Sequence, residues 1–118
     1  MRSIGAYAFS DCSSFTSMTI PNSVTSIDDC TFQNCSNLTS LIIPDSVASI
    51  GDWAFSGCIG LTSFIVPNGV TSIGSHAFTE CYNLKTIYFN GTKDQWKQVK
   101  KAGNWKSGTN SVKIICRG

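Results

Sequence analysis

The sequence is short of charge, of histidine and of long apolar runs, and each shortage narrows its reading. Charged residues make up 14% of 118 residues, where an ordinary globular chain carries about a quarter. Hydrophobic residues nevertheless reach 42%, so the chain has material for a core and is not disordered by composition. A single histidine is present, which excludes chemistry that needs two imidazoles. Apolar runs stop at three or four residues, as in Leu41-Ile42-Ile43-Pro44, too short for a membrane-spanning helix. There is no phosphate-cradling glycine loop, no H-E-x-x-H and no G-x-S-x-G, so no cofactor is expected and no enzyme activity is read from motifs. The length is that of one domain.

The few prolines are not scattered. Pro21, Pro44 and Pro67 stand 23 residues apart. The same step links Ile4, Ile27, Ile50 and Ile73, then Phe9, Phe32, Phe55 and Phe78, then Cys12, Cys35, Cys58 and Cys81. It also links Phe15, Leu38, Leu61 and Leu84. Residues 27–49 and 50–72 share 11 identities in 23 positions. A unit this small cannot bury its own apolar face, so units must stack into a solenoid. Leu38-Thr39-Ser40-Leu41-Ile42-Ile43-Pro44 has the form of a strand that turns Leu38, Leu41 and Ile43 inward and ends at proline. Val47 to Gly51 is a second short β-prone run, with Val47 and Ile50 inward. Asp52 to Cys58 is a compact turn, one helical turn at most, burying Ala54, Phe55 and Cys58.

These motifs resemble the BspA-like class of leucine-rich repeats: Ile50-Gly51, Ala54-Phe55, Cys58, Leu61-Thr62-Ser63, Pro67, Val70 and Ser72 stand at the family's positions. The pattern covers residues 3–89, with Asp28 in place of glycine and Thr31 in place of alanine in the second unit. The resemblance implies a β-rich repeat solenoid of short parallel strands with single helical turns between. It also implies an extracellular or cell-surface setting, and adhesion or protein binding rather than catalysis. The partner it implies is another protein, host extracellular matrix or another surface protein. Asp28, Asp29 and Asp52 form the only carboxylate grouping of note, and on a solenoid turn they are expected to be exposed and ordinary.

Grammar and charge both change near Asn90. Residues 1–89 carry Arg2 and Lys85 against six acidic residues, a balance of −4; residues 90–118 carry seven cations against Asp94, a balance of +6, which sums to the net +2. We read residues 1–89 as about four repeats, the first incomplete, and 90–118 as a C-terminal helix-plus-strand cap of the same domain. Thr92-Lys93-Asp94-Gln95 fits a capping box, opening a helix of roughly ten residues through Ala102 that ends at Gly103. Trp96, Val99 and Trp105 are expected to seal the last repeat, with Lys93, Lys97, Lys100 and Lys101 on another face. Ser107 to Asn110 reads as a turn and Val112 to Cys116 as a final strand. Met1-Arg2-Ser3-Ile4 enters a repeat at its middle with no signal segment, which reads either as a cut from a longer array or as an open end that pairs with another copy.

Six cysteines raise disulfide and zinc readings. Four are locked to one repeat position, where parallel Cβ vectors favour a row of buried thiols. Cys30, in the row of Tyr7, Trp53 and His76, is expected at the surface. Cys30-x4-Cys35 has no second pair to complete a metal site, so no metal is expected. The sequons at Asn34, Asn37 and Asn90 have meaning only in a source that glycosylates.

A binding site is sought among outward strand residues. Ser17, Ser40, Ser63 and Thr86 form one row by the 23-residue step, and Thr19, Ile42, Ile65 and Tyr88 the next. In a leucine-rich horseshoe these lie on the concave sheet, as a binding strip or as residues that simply suit strands. Lys93, Lys97, Lys100 and Lys101 form a second, basic candidate in the tail. An anionic glycan suits that face better than nucleic acid, because the rest of the chain is acidic.

Overall fold

The repeat period becomes one turn of a parallel coil in the computed structural model, which describes residues 3–12, 16–106 and 112–117. Phe15, Met1-Arg2 and the turn expected at Ser107 to Asn110 lie outside the described residues. Each unit contributes a short and a longer strand. The short ones are β1 (Ser3–Ile4), β3 (Ser26–Ile27), β5 (Ser49–Ile50) and β7 (Ser72–Ile73), all parallel and in register, Ile27 opposite Ile50 and Ile50 opposite Ile73. The longer ones are β2 (Ser17–Thr19), β4 (Ser40–Ile42), β6 (Ser63–Val66) and β8 (Thr86–Phe89). β2 pairs with β4 and β6 with β8, while β4 and β6 lie side by side in separate ladders.

The core is the interior of the coil. Leu38, Leu41, Ile43, Val47, Ile50, Ala54, Phe55 and Cys58 are all buried, as the unit pattern predicts. Phe9, Phe32, Phe55 and Phe78 stack in one column at centroid spacings of 5.5, 5.5 and 5.4 Å. This is close to the strand spacing, because the strands set the pitch.

The returning corner takes a specific form. Tyr7, Cys30, Trp53 and His76 all have φ between 59° and 63°, and so do Asp11, Asn34 and Glu80, with Gly57 at 74°. A left-handed residue costs about 1–2 kcal/mol where a Cβ is present. The compensation is visible: alternate N–H groups turn out of the chain and bond the next unit. Cys30 N–H donates to Asp52 O at 2.9 Å, Phe32 N–H to Ala54 O at 2.9 Å and Asn34 N–H to Ser56 O at 2.7 Å. The intervening N–H groups close four-residue turns, such as Cys35 N–H to Phe32 O at 3.3 Å. A helical corner would aim every N–H along the chain and lose these links.

The tail continues the coil. β9 (Lys100–Lys101) pairs with β7, and β10 (Lys113–Cys116) pairs with β8 in register, Ile115 opposite Tyr88. The corner ladder continues too, His76 N–H reaching Asn104 O and Phe78 N–H reaching Trp105 O at 3.2 and 2.8 Å. The helix α1 spans Lys93–Gln98 with the capping box of Thr92 and Gln95 formed. It is six residues long, not about ten, because Val99 turns extended (φ −67°, ψ 124°) and delivers Lys100 to β9. Trp96 lies 5.1 Å from Phe89, and Trp105 meets Phe78 edge-on at 6.0 Å. Together they close the aromatic column.

Candidate functional site

Several polar side chains hold the coil together. Cys35, Cys58 and Cys81 are buried thiols, not disulfides, whose Sγ atoms donate to the carbonyls of Phe9, Phe32 and Phe55 at 3.0, 3.1 and 3.1 Å. Burial pushes the Cys35 thiol up to about 11 and Cys81 up to about 12, and raises Cys58 as well. Because the folded thiols hold their protons more firmly than the unfolded ones, their contribution is intact below the ordinary value of 9.0 and is lost as pH rises through the folded values. Unfolding free energy measured from neutral to strongly alkaline pH is therefore expected to fall above about pH 9, and less in a chain with all three changed to alanine. An alkaline loss of equal size in that variant would refute this account.

The carboxylates are structural as well. Asp29 accepts from the Asp52 N–H and Asp52 from the Ser75 N–H, each at 2.8 Å. This ladder explains Gly51 and Gly74. A Cβ at Gly51 would stand 2.6 Å from Asp29 Oδ1 and 2.7 Å from backbone. At the equivalent position Asp28 stands in place of glycine, and there Ala6 rather than an aspartate precedes it in the ladder. Thr31, in place of alanine, is buried and donates to Asp28 O at 2.7 Å.

The row of Tyr7, Cys30, Trp53 and His76 packs along the corner. His76 stacks on Trp53 at 4.2 Å. Its Nε2 faces Asn104 Nδ2 at 2.9 Å, so it accepts there, leaving Nδ1–H to donate to Thr79 Oγ1 at 3.0 Å. Both nitrogens are engaged. Cys30 is buried, contrary to expectation. It is the small member of a row of large side chains, and the Tyr7 hydroxyl, whose pKa that hydrogen bond raises first, bonds to it.

The basic tail residues do not form one helix face. Lys93 and Lys97 are exposed on α1, whereas Lys100 and Lys101 lie on β9. Lys101 is turned back: its Nζ donates to Trp96 O and Val99 O at 2.9 Å each and sits 4.4 Å over the Trp96 ring. Its burial lowers its pKa. The helix ended too early to carry all four.

The strand rows are arranged differently. Ser17, Thr19, Ser40, Ile42, Ser63 and Ile65 are exposed on the outward face of the longer strands; Thr86 and Tyr88 are half-buried there. Ile42 is 63% and Ile65 42% exposed in a sheet whose alternate residues are buried. β10 extends both rows, adding Lys113 beside Thr86 and Ile115 beside Tyr88. At that end Arg117 lies 5.0 Å over the Tyr88 ring, its Nε and Nη2 donating to Asn90 Oδ1 at 3.0 and 2.7 Å. Sequence reasoning missed this clamp, since nothing in the spacing of residues 88, 90 and 117 announces it. Among the described residues no group of histidine, cysteine and acidic side chains forms a metal site, and no helix is long and apolar enough to cross a membrane.

Comparisons with known proteins agree with this architecture. A leucine-rich repeat protein from Bacteroides ovatus is 34% identical, covering 74% of this chain and 28% of its own, with a TM-score of 0.53. One from Bacteroides capillosus is 25% identical over 89% of this chain and 79% of its own, at 0.70. The pneumococcal vaccine antigen PcpA, 18% identical, covers 96% of this chain and 28% of its own at 0.74, a likeness of fold. The chain thus spans 28% of the length of the first and last of these. Among curated proteins none matches. The model of the BspA type leucine rich repeat region (6 copies) matches residues 1–101, and the chain belongs to that family.

Proposed function

We propose that the chain is a non-catalytic, protein-binding and adhesive module of a bacterial-type surface or secreted leucine-rich repeat protein. Its binding strip is the outward face carrying Ser17, Thr19, Ser40, Ile42, Ser63, Ile65, Thr86 and Tyr88. The observation that carries this reading is the exposure of Ile42 and Ile65, 63% and 42%, on neighbouring strands beside the exposed hydroxyls of Ser17, Thr19, Ser40 and Ser63. Exposed apolar rows on a rigid face mark partner sites. Surface placement rests on family membership, and the partner class is host extracellular matrix or another surface protein.

A second reading makes this segment purely structural, with the binding face elsewhere in a longer protein; the 28% coverage of two larger relatives favours it. Binding of the chain to a panel of immobilised matrix proteins separates the two. The strip reading expects Ile65→Asp to weaken binding at least about tenfold, with an unfolding midpoint close to that of the parent because the side chain is exposed. Absence of binding across the panel supports the structural reading.

A further inference from the structure

The charge of the outward face is as uneven as its hydropathy. Among the described residues, β2, β4, β6, β8 and β10 together carry Lys113 and no acidic residue; the aspartates of the repeats and Glu80 sit on corners and turns, and Asp94 on α1. Lys85 precedes β8, Lys113 stands in β10 and Arg117 follows it, so these three cations flank the β8–β10 pair, while the other described cations lie on α1, on β9 and at Lys106. Arg117 is also fixed in place. A place over the Tyr88 ring and two hydrogen bonds to Asn90 Oδ1 orient the guanidinium. A guanidinium has five N–H donors, so three remain for a ligand. A guanidinium held in place with unused donors is suited to a carboxylate, because little side-chain freedom is lost on binding.

From this clamp the apolar row runs on through Ile115, Tyr88, Ile65 and Ile42 across neighbouring strands. We propose that the strip takes an acidic polypeptide segment, whose carboxylates meet Arg117 and Lys113 while its aliphatic side chains lie along Ile65 and Ile42. This deepens the strip reading and rests on it. A sulfated polysaccharide would satisfy the cations but has no aliphatic side chains to cover the isoleucines. The polypeptide therefore fits the whole surface.

The test uses the full chain and a short labelled peptide alternating glutamate with valine, with a glutamine–valine peptide and heparin as comparison ligands. The acidic peptide is expected to bind more tightly than its glutamine counterpart and to weaken with salt. Arg117→Ala should weaken it about tenfold and Lys113→Ala less; Arg117→Lys should restore only part, since lysine cannot present the fork. Asn90→Ala, which frees the guanidinium without removing it, should weaken binding by an intermediate amount. Thermal unfolding of each variant confirms that it is folded. Equal affinity for both peptides, an unaffected Arg117→Ala variant, or binding of heparin but not peptide would each overturn the proposal. Ile65→Asp distinguishes the failures. If it removes binding to the glutamine peptide and matrix proteins while the cation variants do nothing, the strip stands and the acidic partner falls. If Arg117→Ala weakens binding and Ile65→Asp leaves it untouched, the site is an isolated anion clamp and both readings fall.

Discussion

Phe55→Ala is expected to lower the free energy of unfolding by about 3–5 kcal/mol, the range for removing a large buried ring. The ring is fully buried, stacked on Phe32 and Phe78 at 5.5 and 5.4 Å and met by Phe64 at 5.0 Å. Its position in the column adds to the loss. In a coil where each unit touches only its neighbours, a defect in the middle weakens coupling on both sides. The cavity cannot collapse either, because the backbone pitch is held by strand and corner ladders above and below. Phe9, half-buried at the far end of the column, is the comparison: its replacement should cost less than half as much. Chemical denaturation of the two variants decides this, and equal losses would show that the column does not act as a unit.

The period made the stacking legible because a repeat is a statement about equivalence. Once Ile27 and Ile50 occupy the same position, their burial and pairing follow without knowing the shape of the turn. Leu38, Leu41, Ile43, Phe55 and Cys58 were placed inward on that ground. The corner was less legible. One left-handed row reads Asp11, Asn34, Gly57 and Glu80, and its aspartate, asparagine and glycine are residues that tolerate positive φ. The other reads Tyr7, Cys30, Trp53 and His76, types that give no such signal. Their conformation is imposed by hydrogen bonds to the next unit, 22 residues on for Cys30 N–H to Asp52 O, which local propensity does not contain. Cys30 went wrong for a related reason. Its row was judged by the aromatics, whereas burial is set by what the neighbouring units lay over it.

The tail shows the same limit from the other side. The capping box at Thr92 and Gln95 is a local signal, and it formed as read. The end of the helix is not local: Val99 leaves it because β7 has an open edge to which Lys100 and Lys101 can pair. Helix propensity through Lys100, Lys101 and Ala102 lost to that tertiary demand. The Asn90, Tyr88 and Arg117 clamp depends on β10 returning beside β8, a pairing no residue of β10 specifies by type. Sequence therefore located the outward strip, through its alternation, but not the arginine at its end.

Trp105→Ala is expected to cost about 3 kcal/mol or more, and to act at one end of the coil. Trp105 is 9% exposed, meets Phe78 edge-on and Trp96 at 5.9 Å, and its carbonyl receives the Phe78 N–H at 2.8 Å. Without the indole, Phe78 loses its cover while Phe32 keeps both of its neighbours. Opening should then begin at the last unit and travel inward, because each unit is stabilised chiefly by the next. The buried thiols report this directly. Cys81 belongs to the unit under Trp105, whereas Cys58 and Cys35 lie one and two units further in. In the variant, Cys81 should react with a thiol reagent well before Cys35 under native conditions, an order absent from the parent chain. Simultaneous reaction of both would mean that the whole stack opens as one cooperative body, and that the aromatic column, rather than nearest-neighbour contact, sets the unit of stability.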